Sequence, residues 1–201
     1  MKNNRVIAAG IASLLMLTTG CQSKNGGSAV LKLIPDKNAV QEVSKSFGKP
    51  LAETGKELGL NTEKAKETHP TEFQFEETAD FEGMPMTVFL YTAEDKVNSI
   101  SYKGIIQNDS DKAADLAGKM ISKANEMYGT PVTYDEPYKE LTFKDKDIKA
   151  FIEAKEMKDL FDIWQIDDNT VIKVSLEVYG DTGIVGLLYQ IGQGNIKAIN
   201  P

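Results

Sequence analysis

Apolar residues recur at helical spacing most clearly over residues 110–128, where Ala113, Leu116, Ala117, Met120, Ile121, Ala124, Met127 and Tyr128 form one stripe. Asp109, Ser110 and Asp111 stand at its start, where short acceptors cap free amides and negative charge meets the positive end of the helix dipole. An earlier helical stretch begins near Asn38 and ends in Phe47-Gly48-Lys49-Pro50, and the later one ends in Tyr128-Gly129-Thr130-Pro131. Glycine suits the left-handed position that closes a helix, and proline just beyond prevents continuation. After each stop the spacing shortens to the alternation of strands. The first set reads as strands over 72–79, 84–91 and 97–105 with turns at Glu82-Gly83 and Glu94-Asp95. The second reads as strands over 160–167, 171–179 and 183–191 with turns at Asp168-Asn169 and Asp181-Thr182. Residues 132–158, with Tyr134, Tyr138, Phe143 and Phe151 among many charges, read as an irregular insertion holding one extra strand or short helix.

Laying Phe89 on Leu176 also places Val97 on Ile184, Ile100 on Leu187 and Tyr102 on Tyr189, an internal correspondence between the two sets. The chain therefore reads as α+β: two tandem units, each helical and followed by a three-strand antiparallel meander, with helices packed on the sheets. The units are expected at 30–108 and 109–201. The middle strand of the second alternates cleanly, with Ile172, Val174, Leu176 and Val178 on one face and Val171, Lys173, Ser175 and Glu177 on the other. Its counterpart in the first does not. Thr87, Phe89 and Tyr91 are expected to face the helix, which leaves Met84, Met86, Val88 and Leu90 as a second apolar face. Such a face has to be covered by the other unit or by a partner, and methionine adapts readily to partners, so Met86, Val88 and Leu90 are the candidate binding residues.

The first residues of the chain read differently. Lys2 and Arg5 precede an apolar run over 6–17 and the small stretch Thr18-Thr19-Gly20, the order of a secretory signal peptide. The run is short of the roughly 20 apolar residues that a bilayer core of roughly 30 Å demands. Cys21, the only cysteine, follows at once, with no partner for a disulfide. Residues 21–29, polar and glycine-rich from Gln22 to Ser28, read as a flexible tether. Loss of residues 1–20 would remove two basic groups and no acid, taking the net charge from −7 to −9. A chain so acidic repels phosphate backbones, which argues against nucleic acid as a partner.

Catalytic equipment is sparse. His69, the sole histidine, precedes a proline and is expected in an extended loop, and no Gly-x-Ser-x-Gly elbow is present. Clustered cysteine and histidine ligands for zinc are lacking, and Ala113 and Ala114 stand where a calcium loop beginning at Asp109 would place a ligand and a glycine. Asp109 and Asp111 read as helix caps, Asp167 and Asp168 as turn residues. Glu76-Glu77 and Asp135-Glu136 are adjacent pairs whose side chains point to opposite faces of a strand, so neither pair forms a glycosidase site alone. Phosphate-binding glycine loops are absent, and no cofactor or metal is implied.

Leu17-Thr18-Thr19-Gly20-Cys21 resembles the bacterial lipobox, although the family's leucine usually lies three residues before the cysteine, where this chain has Thr18. The resemblance implies cleavage between Gly20 and Cys21, a diacylglyceryl group on Cys21, and an extracytoplasmic protein held by its acyl chains on the cytoplasmic membrane, or on the outer membrane of a Gram-negative source. The helix, the aromatic-Gly-x-Pro stop and the meander resemble small envelope proteins of the SmpA/OmlA type. Two such units in tandem resemble the β-lactamase-inhibitory-protein arrangement, whose paired cysteines are absent here. Both resemblances imply a non-enzymatic module that binds an envelope protein partner. The competing expectations are a carboxylate-dependent hydrolase of cell-wall glycans and a small-ligand-binding lipoprotein. Growth with a labelled fatty acid is expected to mark the wild-type protein and to leave Cys21→Ser unlabelled, and equal release of the two into the medium would refute the anchor.

Overall fold

A computed structural model describes residues 33–134 and 138–195 of the chain. Four α-helices and seven strands follow in the order α1 (Lys37–Ser44), α2 (Leu51–Glu57), β1 (Lys66–His69), β2 (Glu72–Phe81), β3 (Met84–Ala93), β4 (Lys96–Gln107), α3 (Ser110–Tyr128), α4 (Ile148–Glu153), β5 (Met157–Asp167), β6 (Thr170–Tyr179) and β7 (Ile184–Gln193), with short 3-10 turns between. All strands join one antiparallel sheet in the spatial order β1-β2-β3-β4-β7-β6-β5.

This sheet overturns the expectation of two tandem units that each pack helices on a separate three-strand meander. The last strands of the two meanders, β4 and β7, pair along their length from Ser99↔Gly192 to Gln107↔Ile184. Each of them would otherwise have ended in an open row of amides and carbonyls, and joining them removes two edges at once. Tyr102 and Tyr189, which correspond in the sequence alignment of the two meanders, sit directly opposite each other across the seam.

Two hairpins are closed by residues in the left-handed region. Glu82 and Gly83 have φ of 52° and 81°, and Glu94 and Asp95 have φ of 50° and 61°, the two-residue geometry whose twist matches that of the flanking strands. The helical stretch near Asn38 is α1, which ends before the Gly48-Lys49-Pro50 stop, and a second helix that the spacing does not predict, α2, follows that stop. Gly48 turns the chain after α1 with φ 81°, and Pro50 then stands at the start of α2, where its fixed φ and missing N–H cost nothing. After α3 the same punctuation leads to no helix. Gly129 (φ 90°) ends α3, and the chain runs on along the outer edge of β5, where the Val132 N–H donates to the Ile163 carbonyl at 2.8 Å. The insertion after it holds a 3-10 turn at Tyr138–Leu141 and the short α4, capped by the Asp147 carboxylate. His69 ends the short edge strand β1, exposed, instead of lying in a loop.

The helices cover one face of the sheet. The α3 stripe buries Ala113, Leu116, Ala117, Met120, Ala124 and Tyr128 in one core with inward residues of β5, β6 and β7, among them Leu160, Ile172, Val174, Leu187 and Ile191. On β3 the orientation is the reverse of the sequence reading. Met84, Met86, Val88 and Leu90 belong to the core, and Thr87, Phe89 and Tyr91 lie half-buried on the other face. The set with no hydroxyl, Met84, Met86, Val88 and Leu90, takes the dry side, and the set that carries Thr87 and Tyr91 takes the other, with Phe89 between them. Thr and Tyr tolerate partial exposure, keeping a hydroxyl near water.

At the seam, Tyr102 and Tyr189 pack with ring centroids 6.0 Å apart. The Tyr128 hydroxyl, at the end of α3, meets the Tyr189 hydroxyl at 2.8 Å and donates to the Pro35 carbonyl at 2.6 Å. Trp164 of β5 lies 6.3 Å from Tyr128 and donates its indole N–H to the Gly129 carbonyl at 2.9 Å. Burial raises all three tyrosine hydroxyls above their ordinary value. Raised groups add stability in full below the unfolded tyrosine value of about 10, and that contribution is lost as pH climbs through the folded values. Unfolding free energy measured in urea is therefore expected to fall from about pH 10 upward, with a shallower fall in Tyr102→Phe; identical slopes would contradict this account. Val88 is 1 % exposed and sits in the middle of the core. Val88→Asp is expected to cost on the order of 4 kcal/mol by placing an unpaired charge there, read as a large drop in melting temperature; a drop within ordinary surface-mutant range would contradict the packing described.

Candidate functional site

Met86, Val88 and Leu90, the sequence-predicted binding residues, are 0 %, 1 % and 0 % exposed and pack beneath the helices, so they present nothing to a partner. The residues with that opportunity occupy the opposite face of the same sheet. By the strand registers this face carries Phe89 and Tyr91 of β3, Ser99, Ser101, Lys103 and Ile105 of β4, Gly186, Leu188 and Gln190 of β7, Lys173, Ser175 and Glu177 of β6, and Met157, Phe161 and Ile163 of β5. Among the described residues no helix packs on it. Ile105 is 47 % and Met157 81 % exposed, and Phe89, Tyr91, Leu188, Phe161 and Ile163 are half-buried.

Its middle is low and its flanks are high. Ser99, Ser101, Ser175, Gly186 and Gly192 put small residues on the central strands, and aromatic rings stand to either side. Over Gly186 lies one charged cluster. The Lys103 ammonium donates to Glu177 at 3.0 Å and to the Tyr179 hydroxyl at 2.7 Å, and that hydroxyl donates to the same Glu177 oxygen at 2.5 Å. A Cβ on Gly186 would meet Glu177, Lys103 and Tyr179 at 3.3 to 3.4 Å, so the glycine makes room for the bridge. Burial opposes the Lys103 charge, but the hydrogen bonds to Tyr179 and Glu177 outweigh it and raise the group to about 12. Asp159, directly opposite Glu177, is raised by burial and by the Glu177 charge. Lys173 lies over the Phe161 ring at 5.2 Å. The face thus combines apolar rings with fixed charges of both signs.

A second site lies on the covered side, beyond the end of α3. A cavity of about 530 Å³ is lined by Ile121 and Asn125 of α3, the segment Gly129 to Tyr134, Lys139, Thr142, Phe143 and Lys144, and Asp162 of β5. Asp162 takes the inward position between Leu160 and Trp164 and is 4 % exposed. Burial pushes its carboxyl up to about 6, with the Phe143 backbone N–H holding it partly back. The Tyr134 hydroxyl is buried with no hydrogen-bond partner among the described residues, raised by burial and by the Asp162 charge.

The remaining sequence candidates have structural partners. Asp109 caps α3 by accepting from the Lys112 N–H at 2.9 Å, and Asp111 pairs with Lys149 at 2.7 Å. Asp167 accepts from the Asn169 N–H and from Gln41 across the sheet end. Glu76 pairs with Lys64, and Glu77 accepts from the Asn61 N–H. Among the described residues no group of three or more His, Cys, Asp or Glu side chains is placed to hold a metal. Gly20, Cys21, Asp135 and Glu136 lie outside the described residues. Among the described residues no helix is long and apolar enough to cross a membrane.

Parity along β5 carried a signal for Asp162, since it falls on the same face as Leu160 and Trp164. Nothing in the sequence pairs Lys103 with Glu177, which meet only because β4 and β6 both flank β7. Comparison with protein-family models, with curated proteins and with solved structures gave no match.

Proposed function

We propose that this chain is a membrane-anchored extracytoplasmic lipoprotein and that its domain is a non-enzymatic binding or envelope-assembly module, docking a protein partner on the uncovered face of its sheet. The observation that carries the reading is the gathering of Ile105, Met157, Phe89, Tyr91, Leu188, Phe161 and Ile163 on one face with no helix over it among the described residues. Apolar and aromatic side chains on an uncovered sheet face, interleaved with polar and charged ones, suit a protein interface. The net charge of −7 disfavours nucleic acid as the occupant. The lipobox-like Leu17-Thr18-Thr19-Gly20-Cys21 supports an envelope address, with acyl chains on Cys21 holding the domain close to membrane-associated partners.

Ile105→Asp tests this face with little risk to the fold, because the side chain is 47 % exposed and substitutions at such positions usually move stability by about 0.5 kcal/mol or less. Met127→Asp on the outer surface of α3 is the matched control, an apolar-to-acid change away from the sheet. In cells treated with a lysine-reactive cross-linker, the wild type and Met127→Asp are expected to give the same cross-linked product and Ile105→Asp to lose it. A product of undiminished yield from Ile105→Asp would refute docking on this face.

A further inference from the structure

The cavity at the end of α3 holds a set of groups that the sheet face does not use. Its floor carries one carboxylate, Asp162, almost wholly buried and flanked along β5 by Leu160 and Trp164. Among the described residues, the hydrogen bond that favours its ionised form comes from the Phe143 backbone. An ionised carboxylate in such surroundings is stabilised most by a cation brought to it. Tyr134, in the same lining, has a buried hydroxyl with no hydrogen-bond partner among the described residues. The mouth carries the opposite charge, since Lys139 and Lys144 line the same cavity and are both exposed. The lining also includes Ile121, Val132 and Phe143, which are apolar, the exposed Asn125 and Thr130, which can each donate and accept, and the buried Thr142, whose hydroxyl donates to the Lys139 carbonyl and is left to accept.

This arrangement selects a ligand by charge. A simple amine satisfies Asp162 but is repelled by the lysines on the way in. A simple acid meets the lysines but not the buried carboxylate. A molecule with an ammonium at one end and a carboxylate at the other answers both, its ammonium at the buried Asp162 and its carboxylate at the exposed lysines. A volume of about 530 Å³ lies within the range of pockets that hold a molecule larger than one residue. We propose that the cavity is a binding site for a short peptide, entered amino end first, with the terminal ammonium on Asp162, the peptide amides facing Asn125, Thr130 and Thr142, a side chain against Ile121, Val132 and Phe143, and the terminal carboxylate at Lys139 and Lys144.

The site stands on the covered side of the sheet and does not depend on the docking reading above. Titration calorimetry of the full-length protein, solubilised in detergent, with leucyl-leucine, N-acetyl-leucyl-leucine and leucyl-leucine amide tests each end separately. Leucyl-leucine is expected to bind, and acetylation to weaken it by at least about tenfold through loss of the charged donor. Amidation is expected to weaken it several-fold in the wild type and not at all in Lys139→Met/Lys144→Met, two changes at exposed positions that leave the floor intact. Asp162→Asn is expected to abolish the preference for the free ammonium. Its folding is checked independently, because removing a desolvated charge predicts a melting temperature at pH 8 no lower than that of the wild type. Binding that is indifferent to acetylation, or no heat from leucyl-leucine at millimolar concentration, would overturn the proposal. Equal binding of the amide and the acid in the wild type would overturn the role given to the lysines and with it the claim that the ligand ends inside the mouth.

Discussion

The antiparallel pairing of β4 with β7 is the constraint on which the rest of this molecule depends. It turns two sequence-local meanders into one sheet seven strands wide, and it places Tyr102 opposite Tyr189 where both rings meet the end of α3. Through Tyr128 the same junction ties down three other parts of the chain. Its hydroxyl bridges Tyr189 to the Pro35 carbonyl just before α1, and its ring packs near Trp164 of β5. Removing the Tyr128 hydroxyl alone would strand a buried carbonyl and a buried phenol, at roughly 1–3 kcal/mol for each group left unpaired. The seam also disposes of the sheet's edges. Only β1 and β5 remain outermost, the first short and charged with Lys66 and Glu67, the second partly paired by the Val132 N–H.

Periodicity made the elements legible and left their neighbours illegible. The α3 stripe and its Asp109 cap fix that helix at Ser110–Tyr128 as read from the spacing, and the alternation of β6 names its buried face correctly. Both signals are local. Which strand lies beside which is decided by hydrogen bonds between residues far apart in the chain, and alternation carries no information about them. The reading of β3 failed for a related reason. Two apolar faces on one strand leave its orientation undetermined by hydrophobicity alone. The choice fell to which set carries polar atoms, and Thr87 and Tyr91 keep their hydroxyls on the half-buried face, with Phe89 placed there by its parity between them. Helix α2 and strand β1 are too short for periodicity to distinguish them from loops.

The candidate sites divide along the same line. The Cys21 candidate rests on the sequence alone, on the order of residues around it, and lies outside the described residues. Asp162 is half legible: its inward parity beside Leu160 and Trp164 marks an acid on a core face, but the cavity comes from a segment after α3 that has no periodicity. The uncovered sheet face was hidden by the expectation of two separate sheets. Six of its apolar members, Phe89, Ile105, Leu188, Phe161, Ile163 and Met157, come from four different strands and become one surface only through the seam.

Phe161 and Asp162 are consecutive residues of β5, so their side chains leave the strand on opposite faces, one toward the uncovered sheet surface and one toward the cavity. Tyr134 touches both sides. Its ring stands edge-on to Phe161 with centroids 5.8 Å apart, and its hydroxyl is buried where the Asp162 charge acts on it. The segment that carries Tyr134 is held to β5 by the hydrogen bond from Val132 to Ile163, itself a residue of the uncovered face. The two surfaces are therefore separated by the thickness of one edge strand and share the side chain that wraps it. An edge strand is the part of a sheet with fewest backbone partners, and here those it lacks on its outer side are supplied in part by the segment lining the cavity. Whatever orders that segment also orders the margin of the sheet face, which makes β5 the element whose stability bears on both.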